Sequence, residues 1–214
     1  NTVKNLIYIE ELIKSKANHD ELAKIIAVSK TFPIENILPL IEHGHLHYGE
    51  NKVQEALEKW TDIKNKNNNI QLHLIGRLQT NKVKFALRIF DYIHSLDSER
   101  LAIKISEEQI RQEKKPKIFI QVNIGNEDQK SGINKDNLVD FYKFCKNLNL
   151  DIIGTMCIPP NDGNTEKYFS EMNKINQELN FKELSMGMSG DYLEAIRYNA
   201  TYVRVGSKIF GSRS

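Results

Sequence analysis

The feature that most constrains the fold of this chain is the regular alternation of short apolar segments with longer amphipathic ones. Eight apolar or β-rich segments are bounded by turn-forming residues, a pattern typical of buried strands. Strands that alternate with helices pair in parallel through right-handed crossovers, and eight such units close into a (β/α)8 TIM barrel. The predicted strands are Ile25–Ser29, His45–Gly49, Gln71–Gly76, Tyr92–Ser95, Lys117–Ile124, Asp151–Ile158, Glu183–Met188 and Thr201–Val205.

The segments between these strands carry apolar residues at three- and four-residue spacing, which predicts helices with one face on a core. An extra helix predicted over Leu6–Ala17 precedes the first strand and is expected to cover the floor or the side of the barrel. An open doubly wound sheet is the alternative, but its first turn is usually rich in glycine, and the segment Ser29–Pro33 is not. With no linker or internal repeat, residues 1–214 are predicted to form one domain.

Composition excludes several classes of function. Lys and Arg number 30 against 28 Asp and Glu, and the lysines alternate with glutamates along helices, so no nucleic-acid surface is indicated. No apolar stretch approaches the length of a membrane span, and the N-terminal residues do not resemble a signal peptide. Cys145 and Cys157 are far from metal-ligand spacing, which favours two reduced thiols in a cytoplasmic protein and no metal.

Polar and glycine residues collect at the C-terminal ends of the predicted strands, which is the face that carries the active site in TIM barrels. Lys30 stands at the end of the first strand. A lysine there can form an imine with a carbonyl compound if it loses its proton easily. On this segment alone, a lysine that merely extends its amine into water is the stronger interpretation.

The ends of the seventh and eighth strands indicate a phosphate site, because TIM barrels often bind phosphate there. Ser189 would offer a hydroxyl and an amide, while Gly206 and Ser207 would offer backbone N–H groups. The alternative, which is compatible with the first, is that Ser189 caps a helix predicted over Asp191–Tyr198.

A lysine opposite a phosphate site suggests pyridoxal 5′-phosphate (PLP), with its aldehyde on Lys30 as a covalent imine and its phosphate on Ser189, Gly206 and Ser207. Arg204 would then lie near the pyridine nitrogen. Because a guanidinium cannot accept a proton, that nitrogen would stay neutral and the ring would be a weak electron sink.

Motifs in this order resemble those of the YggS/PROSC family of PLP homeostasis proteins, from the first strand to Gly211. The motifs that carry the resemblance are Ala27-Val28-Ser29-Lys30-Thr31, Tyr48-Gly49-Glu50-Asn51 with Gln54-Glu55, His73-Leu74-Ile75-Gly76-Arg77-Leu78-Gln79-Thr80-Asn81-Lys82, Lys130-Ser131-Gly132, Ser185-Met186-Gly187-Met188-Ser189 with Asp191, and Arg204-Val205-Gly206 with Ile209-Phe210-Gly211.

The resemblance implies a fold-type III PLP-binding barrel similar to the N-terminal domain of alanine racemase. It also implies Lys30 as the Schiff-base lysine and Asn51 as part of the pocket. Thr155 and Cys157 beside Met156 depart from the family pattern and leave the fine shape of the pocket open. The predicted cofactor-binding residues are Lys30, Asn51, His73, Met156, Ser189, Arg204, Gly206 and Ser207.

We expect a carrier that buffers or delivers PLP and has no catalytic residues. Fold-type III racemases complete their site with a second domain and a partner subunit, whereas this chain ends at Ser214, so an open pocket and a monomer are expected. Apo-enzymes that depend on PLP are candidate partners. Lys130 is either a second amine that receives the aldehyde or a solvated loop lysine, and the latter is the preferred interpretation.

Two alternatives remain open from the sequence. One is a single-domain amino-acid racemase with weak or specialised activity, in which Tyr48 or His73 is the second base. The other is a phosphosugar enzyme that uses Lys30 in the manner of an aldolase.

Overall fold

The eight strands form one closed parallel barrel in which each strand pairs with its neighbours in sequence order, and β8 closes the barrel against β1. The computed structural model describes residues 1–17 and 21–212, so Ser214, the end of the predicted domain, lies outside them. This architecture confirms the predicted fold. The strands are β1 Lys24–Val28, β2 His47–Glu50, β3 Gln71–Leu74, β4 Tyr92–Leu96, β5 Lys117–Gln121, β6 Asp151–Met156, β7 Glu183–Ser185 and β8 Tyr202–Val205.

Helices surround the barrel and alternate with its strands. They are α1 Thr2–Lys16, α2 Ile34–His43, α3 Val53–Lys66, α4 Val83–Ile89, α5 Glu99–Gln112, α6 Leu138–Asn147, α7 Thr165–Glu178, α8 Tyr192–Arg197 and α9 Ser207–Phe210, with short 3-10 helices at Thr80–Lys82 and Lys135–Asn137. The extra helix α1 packs against α2, α8 and α9, so it covers the side of the barrel. The side-chain amide of Asn5 on α1 donates to the Ile209 carbonyl on α9 at 2.9 Å.

Several strands end earlier than the apolar runs predict. The fifth run continues to Ile124, yet β5 ends at Gln121. Beyond it, Val122 forms an isolated bridge with Ile133, a residue of the loop that returns towards α6. Apolar residues there are buried because a loop packs over them, and the sequence pattern does not distinguish that burial from strand pairing.

Two groups of side chains form the core. The larger group lies between the strands and the helices and includes Trp60, which is fully buried. The smaller group fills the barrel itself, since alternate residues of each strand point inward. Its buried members are Ile26, Tyr92, Phe119, Met156 and Tyr202.

Both cysteines are buried and unpaired with each other, and burial raises the pKa of each thiol to about 12. They are therefore poor nucleophiles and poor metal ligands in this fold. Among the described residues, no group of three or more His, Cys, Asp and Glu side chains could hold a metal ion, and no helix could cross a membrane.

Candidate ligand-binding site

A cavity of about 640 Å³ opens where the strands end at the face predicted to carry the site. Its walls come from the ends of β1, β5 and β8 and from the loops after β1, β2, β3, β5, β6, β7 and β8. The lining includes six predicted site residues: Lys30, Asn51, Ser189, Arg204, Gly206 and Ser207.

The turn that carries Lys30 is conformationally constrained. Thr31 has a φ of 69°, a left-handed conformation that a β-branched residue rarely adopts. The Thr31 N–H donates to the Glu55 carboxylate on α3 at 2.6 Å, and this charge-assisted bond stabilises the unusual backbone. Helix α3 therefore holds the backbone next to the half-buried Lys30.

A buried ionic network supports the same turn from below. The Lys59 ammonium donates to the Ser29 carbonyl at 2.8 Å and also contacts both Glu50 and Glu55. Glu50 accepts two further hydrogen bonds, one from the Ser29 hydroxyl and one from the indole of Trp60 at 2.9 Å. The network joins the end of β1 to β2 and α3, so the residues flanking Lys30 are held on both sides.

Backbone N–H donors converge on Ser189 across the cavity. The Ser189 hydroxyl oxygen accepts from Gly206 N at 3.3 Å and from Lys208 N at 3.4 Å. The expectation that Ser189 caps α8 is wrong, because Asp191 is the N-cap residue and no side chain makes a capping bond there. Ser189 instead contacts the start of α9. Hydrogen bonds this long are weak, and an anion would be a stronger acceptor for the same donors.

Arg204 lies on the inner side of β8, and only 4% of its surface is exposed. Its guanidinium donates to the Ser185 hydroxyl at 2.6 Å and to the Cys157 carbonyl at 2.9 Å. Burial lowers the pKa of this guanidinium from its ordinary value. Two of its five N–H donors are used by these bonds, so the group can still donate to a ligand in the cavity.

The cavity does not include His73 or Met156, the other two predicted site residues. Met156 packs with the side chains that fill the barrel interior. His73 is fully buried and hydrogen-bonded to His47 at 2.9 Å and to His94 at 2.8 Å, and burial lowers its pKa well below the ordinary value. Both residues point into the barrel, but neither is among the described residues that line the cavity, where they were predicted to bind the cofactor.

Tyr48, considered as a second base, is also remote from the cavity lining. Its side chain is packed against Trp60 in the outer core, and its hydroxyl donates to the His45 carbonyl at 2.8 Å. Burial raises the pKa of Tyr48. Neither Tyr48 nor His73 is therefore placed to exchange a proton with a molecule in the cavity.

The lining also contains residues outside the predicted set. Lys130 contributes to it and is held by the Glu127 carboxylate at 2.7 Å and the Ile158 carbonyl at 2.9 Å. Arg77, after β3, and Gln121, the last residue of β5, line it as well. The only sequence signal for Arg77 and Gln121 was their position at strand ends. That signal does not single them out, because every strand end in a barrel is a candidate for the lining.

An α/β barrel that gathers a lysine, a buried arginine and converging N–H groups at its strand ends is typical of proteins that bind an anionic small molecule there. Residues 9–214 match the family described as alanine racemase, N-terminal domain. The chain is 36% identical to the pyridoxal phosphate homeostasis protein of Pasteurella multocida, over 96% of this chain and 93% of that protein. It is 30% identical to the protein of the same name from Escherichia coli, over 98% and 95%.

Solved structures agree with this relationship. PipY of Synechococcus elongatus, determined with PLP bound, is 30% identical and superimposes with a TM-score of 0.88 over 99% of this chain and 100% of PipY. An alanine racemase of Clostridium difficile shares the fold, with a TM-score of 0.72 and 15% identity over 98% of this chain and 57% of the racemase. The chain belongs to the family of pyridoxal phosphate homeostasis proteins, which confirms the family predicted from its motifs.

Proposed function

We propose that this chain binds PLP in the cavity at the strand ends and serves in PLP homeostasis as a carrier. The observation that carries the proposal is the charge of the lining: among its described residues, Lys30, Arg77, Lys130 and Arg204 are cationic and none is a carboxylate. Such a lining suits a phosphorylated aldehyde. The names of the homologues and the PLP bound to PipY support the same ligand.

Lys30 is proposed as the covalent attachment point. Its amine, once neutral, adds to an aldehyde carbon, and water leaves as the C=N bond forms. The Glu55 contact to Thr31 and the Lys59 contact to Ser29 hold the backbone on both sides of Lys30, which reduces the freedom lost on attachment. PLP would supply the aldehyde when bound. Lys30 would supply the amine, and Glu55 and Lys59 would hold the backbone on either side of it.

The phosphate is assigned to Ser189, Gly206 and Ser207. The backbone N–H groups of Gly206 and Lys208 both point at the Ser189 hydroxyl oxygen, at 3.3 and 3.4 Å. One phosphate oxygen could therefore accept from both. A phosphate oxygen carries more charge than a serine hydroxyl and makes shorter bonds to N–H groups.

Asn51 lines the cavity next to Gly76. A side chain at position 76 would collide with the backbone of Asn51, so the glycine allows this close approach.

Arg204 is assigned to the ring nitrogen, and this favours a carrier over a catalyst. A guanidinium has donors but no acceptor, so the partner nitrogen remains unprotonated. An unprotonated ring withdraws electrons weakly and does little to stabilise a carbanion. We therefore propose a protein that holds and releases PLP, acts in the cytoplasm as a monomer, and passes the cofactor to apo-enzymes.

Reduction with borohydride and peptide mass mapping tests the attachment point. The chain loaded with PLP is expected to lose its visible absorption band on reduction and to carry a pyridoxyl group on the peptide that contains Lys30. A Lys30→Met variant should carry none. A Lys130→Met variant, which removes another lining amine, should be labelled like the wild type. A label on any residue other than Lys30 would contradict the proposal.

Delivery has its own test. The loaded chain is mixed with an apo-enzyme in the presence of a scavenger for free PLP, and recovery of the enzyme's activity is followed. Recovery that survives the scavenger supports direct transfer. If transfer by Lys130→Met equals that of the wild type, Lys130 has no role as a second amine. Sustained racemisation of an L-amino acid, detected by chiral analysis, would replace the carrier proposal with the racemase.

A further inference from the structure

A continuous hydrogen-bonded chain of side chains runs inside the barrel from β2 to the cavity. His47 Nδ1 lies 2.9 Å from His73 Nε2, and His73 Nδ1 lies 2.8 Å from His94 Nε2. His94 Nδ1 in turn lies 2.9 Å from the Ser185 hydroxyl oxygen. The Arg204 guanidinium, which lines the cavity, donates to that same oxygen at 2.6 Å.

The three imidazoles are held in their neutral form. His73 and His94 are completely buried, and burial lowers the pKa of each well below the ordinary value. Burial also lowers the pKa of His47 to about 4. A neutral imidazole has one donor nitrogen and one acceptor nitrogen, so each ring passes a hydrogen bond in one direction only.

Arg204 sets that direction. Because a guanidinium only donates, the Ser185 oxygen accepts at the cavity end, and the serine proton must point elsewhere. Within the described residues, His94 Nδ1 is the acceptor in reach, at 2.9 Å. His94 must then carry its proton on Nε2 and donate to His73 Nδ1. The same reasoning places the proton of His73 on Nε2, donating to His47 Nδ1.

The opposite direction is unfavourable. If His94 donated to Ser185, the hydroxyl oxygen could accept both hydrogen bonds, but the buried serine proton would be left without an acceptor among the described residues, which is costly. The chain also cannot conduct protons into the cavity, because its last member cannot accept one. Its geometry therefore suits orientation of Arg204, and not proton transfer.

We propose that Ser185, His94, His73 and His47 are positioning residues, a hydrogen-bond chain of fixed direction that holds the Arg204 guanidinium in one orientation towards the ligand. The effect on the ligand rests on the proposed function, whereas the direction of the chain does not. His73 thereby acquires a role at the site without lining the cavity.

Nitrogen-15 NMR of histidine side chains in the protein without ligand tests the direction, since it distinguishes the two neutral tautomers. The wild type is expected to show the Nε2–H form for His47, His73 and His94. The Nδ1–H form at His73 or His94, or an even mixture of both forms, would overturn the proposal without any variant.

Two matched serine variants test the role of the hydroxyl. Ser185→Ala removes the acceptor of Arg204 and the donor to His94, so His94 should lose its single tautomer. Ser95→Ala is the control, because the Ser95 hydroxyl is also buried but makes no hydrogen bond within the described structure. It should leave the tautomers unchanged. An unchanged His94 spectrum in folded Ser185→Ala would contradict the proposal.

Titration with PLP provides the second measurement. Ser185→Ala should weaken PLP binding by about tenfold, the equivalent of one hydrogen bond to a charged group, and Ser95→Ala should not. If the wild type binds no PLP while its tautomers are as expected, the proposed function fails and the hydrogen-bond chain stands. If PLP binds equally to all three proteins, the chain does not position Arg204 for this ligand.

Discussion

Replacement of Lys59 by methionine tests whether the buried ionic network supports the Lys30 turn. The Lys59 and Glu50 side chains are only 8% and 0% exposed, and their N–O distance is 3.0 Å. Methionine keeps much of the volume and removes the charge. Glu50 would then be a buried carboxylate with two neutral donors, Ser29 and Trp60, and no cation.

The expected loss is large. Removing one partner of a buried ion pair destabilises a protein by about 3–5 kcal/mol. For a domain of this size, each kcal/mol shifts Tm by about 2–4 °C, so the melting temperature should fall by roughly 6–20 °C. Without Lys59 the pKa of Glu50, which burial already raises, should rise further above its unfolded value. Uptake of a proton then offsets part of the loss, so the deficit should be smaller at pH 5 than at pH 8.

Urea and thermal unfolding, monitored by circular dichroism, measure these differences. Lys135→Met is the matched control, because Lys135 pairs with Glu171 at the surface, where a lost ion pair is worth about 0–1 kcal/mol. A Glu50→Gln/Lys59→Met double variant removes the stranded charge and should recover much of the stability. If Lys59→Met is no less stable than Lys135→Met, the network does not support this turn.

Further predictions concern pH, packing and the lining. Burial depresses the pKa of His73 and His94, while the unfolded chain titrates near 6.5. The free energy of unfolding should therefore be highest above that pH and decrease below it, by on the order of 1 kcal/mol for each histidine at pH 5.5, as measured by urea titrations. Gly154→Ala should impair folding, because a Cβ at this position would lie 1.8 Å from the Glu183 carbonyl oxygen. Gly190→Ala is the control: a Cβ there would have no atom within 4 Å, so this variant should have the melting temperature of the wild type. Arg77→Met should weaken PLP binding in equilibrium titrations, more so at low salt, because it removes one cation from the lining.

The barrel could be predicted because the alternation of apolar strand segments with amphipathic helices repeats eight times along the sequence. Each of the eight apolar segments did become a strand, with ends displaced by up to three residues. The ends were less predictable because apolar residues such as Val122 are buried by a loop after the strand stops. The alternative interpretation of Ser189 as the cap of α8 is wrong, because its hydroxyl contacts the start of α9, which follows β8 in the chain.

The family, the strand order and the positions of Lys30, Ser189 and Arg204 at strand ends could all be predicted from strand periodicity and motif spacing, because these are local properties of a chain. Which of the inward side chains reach the cavity depends on packing between distant strands, and a local pattern does not specify that packing. His73 and Arg204 both point into the barrel, yet only Arg204 lines the cavity. Depth in a barrel depends on the stagger of all eight strands, and that stagger is fixed only when β8 pairs with β1.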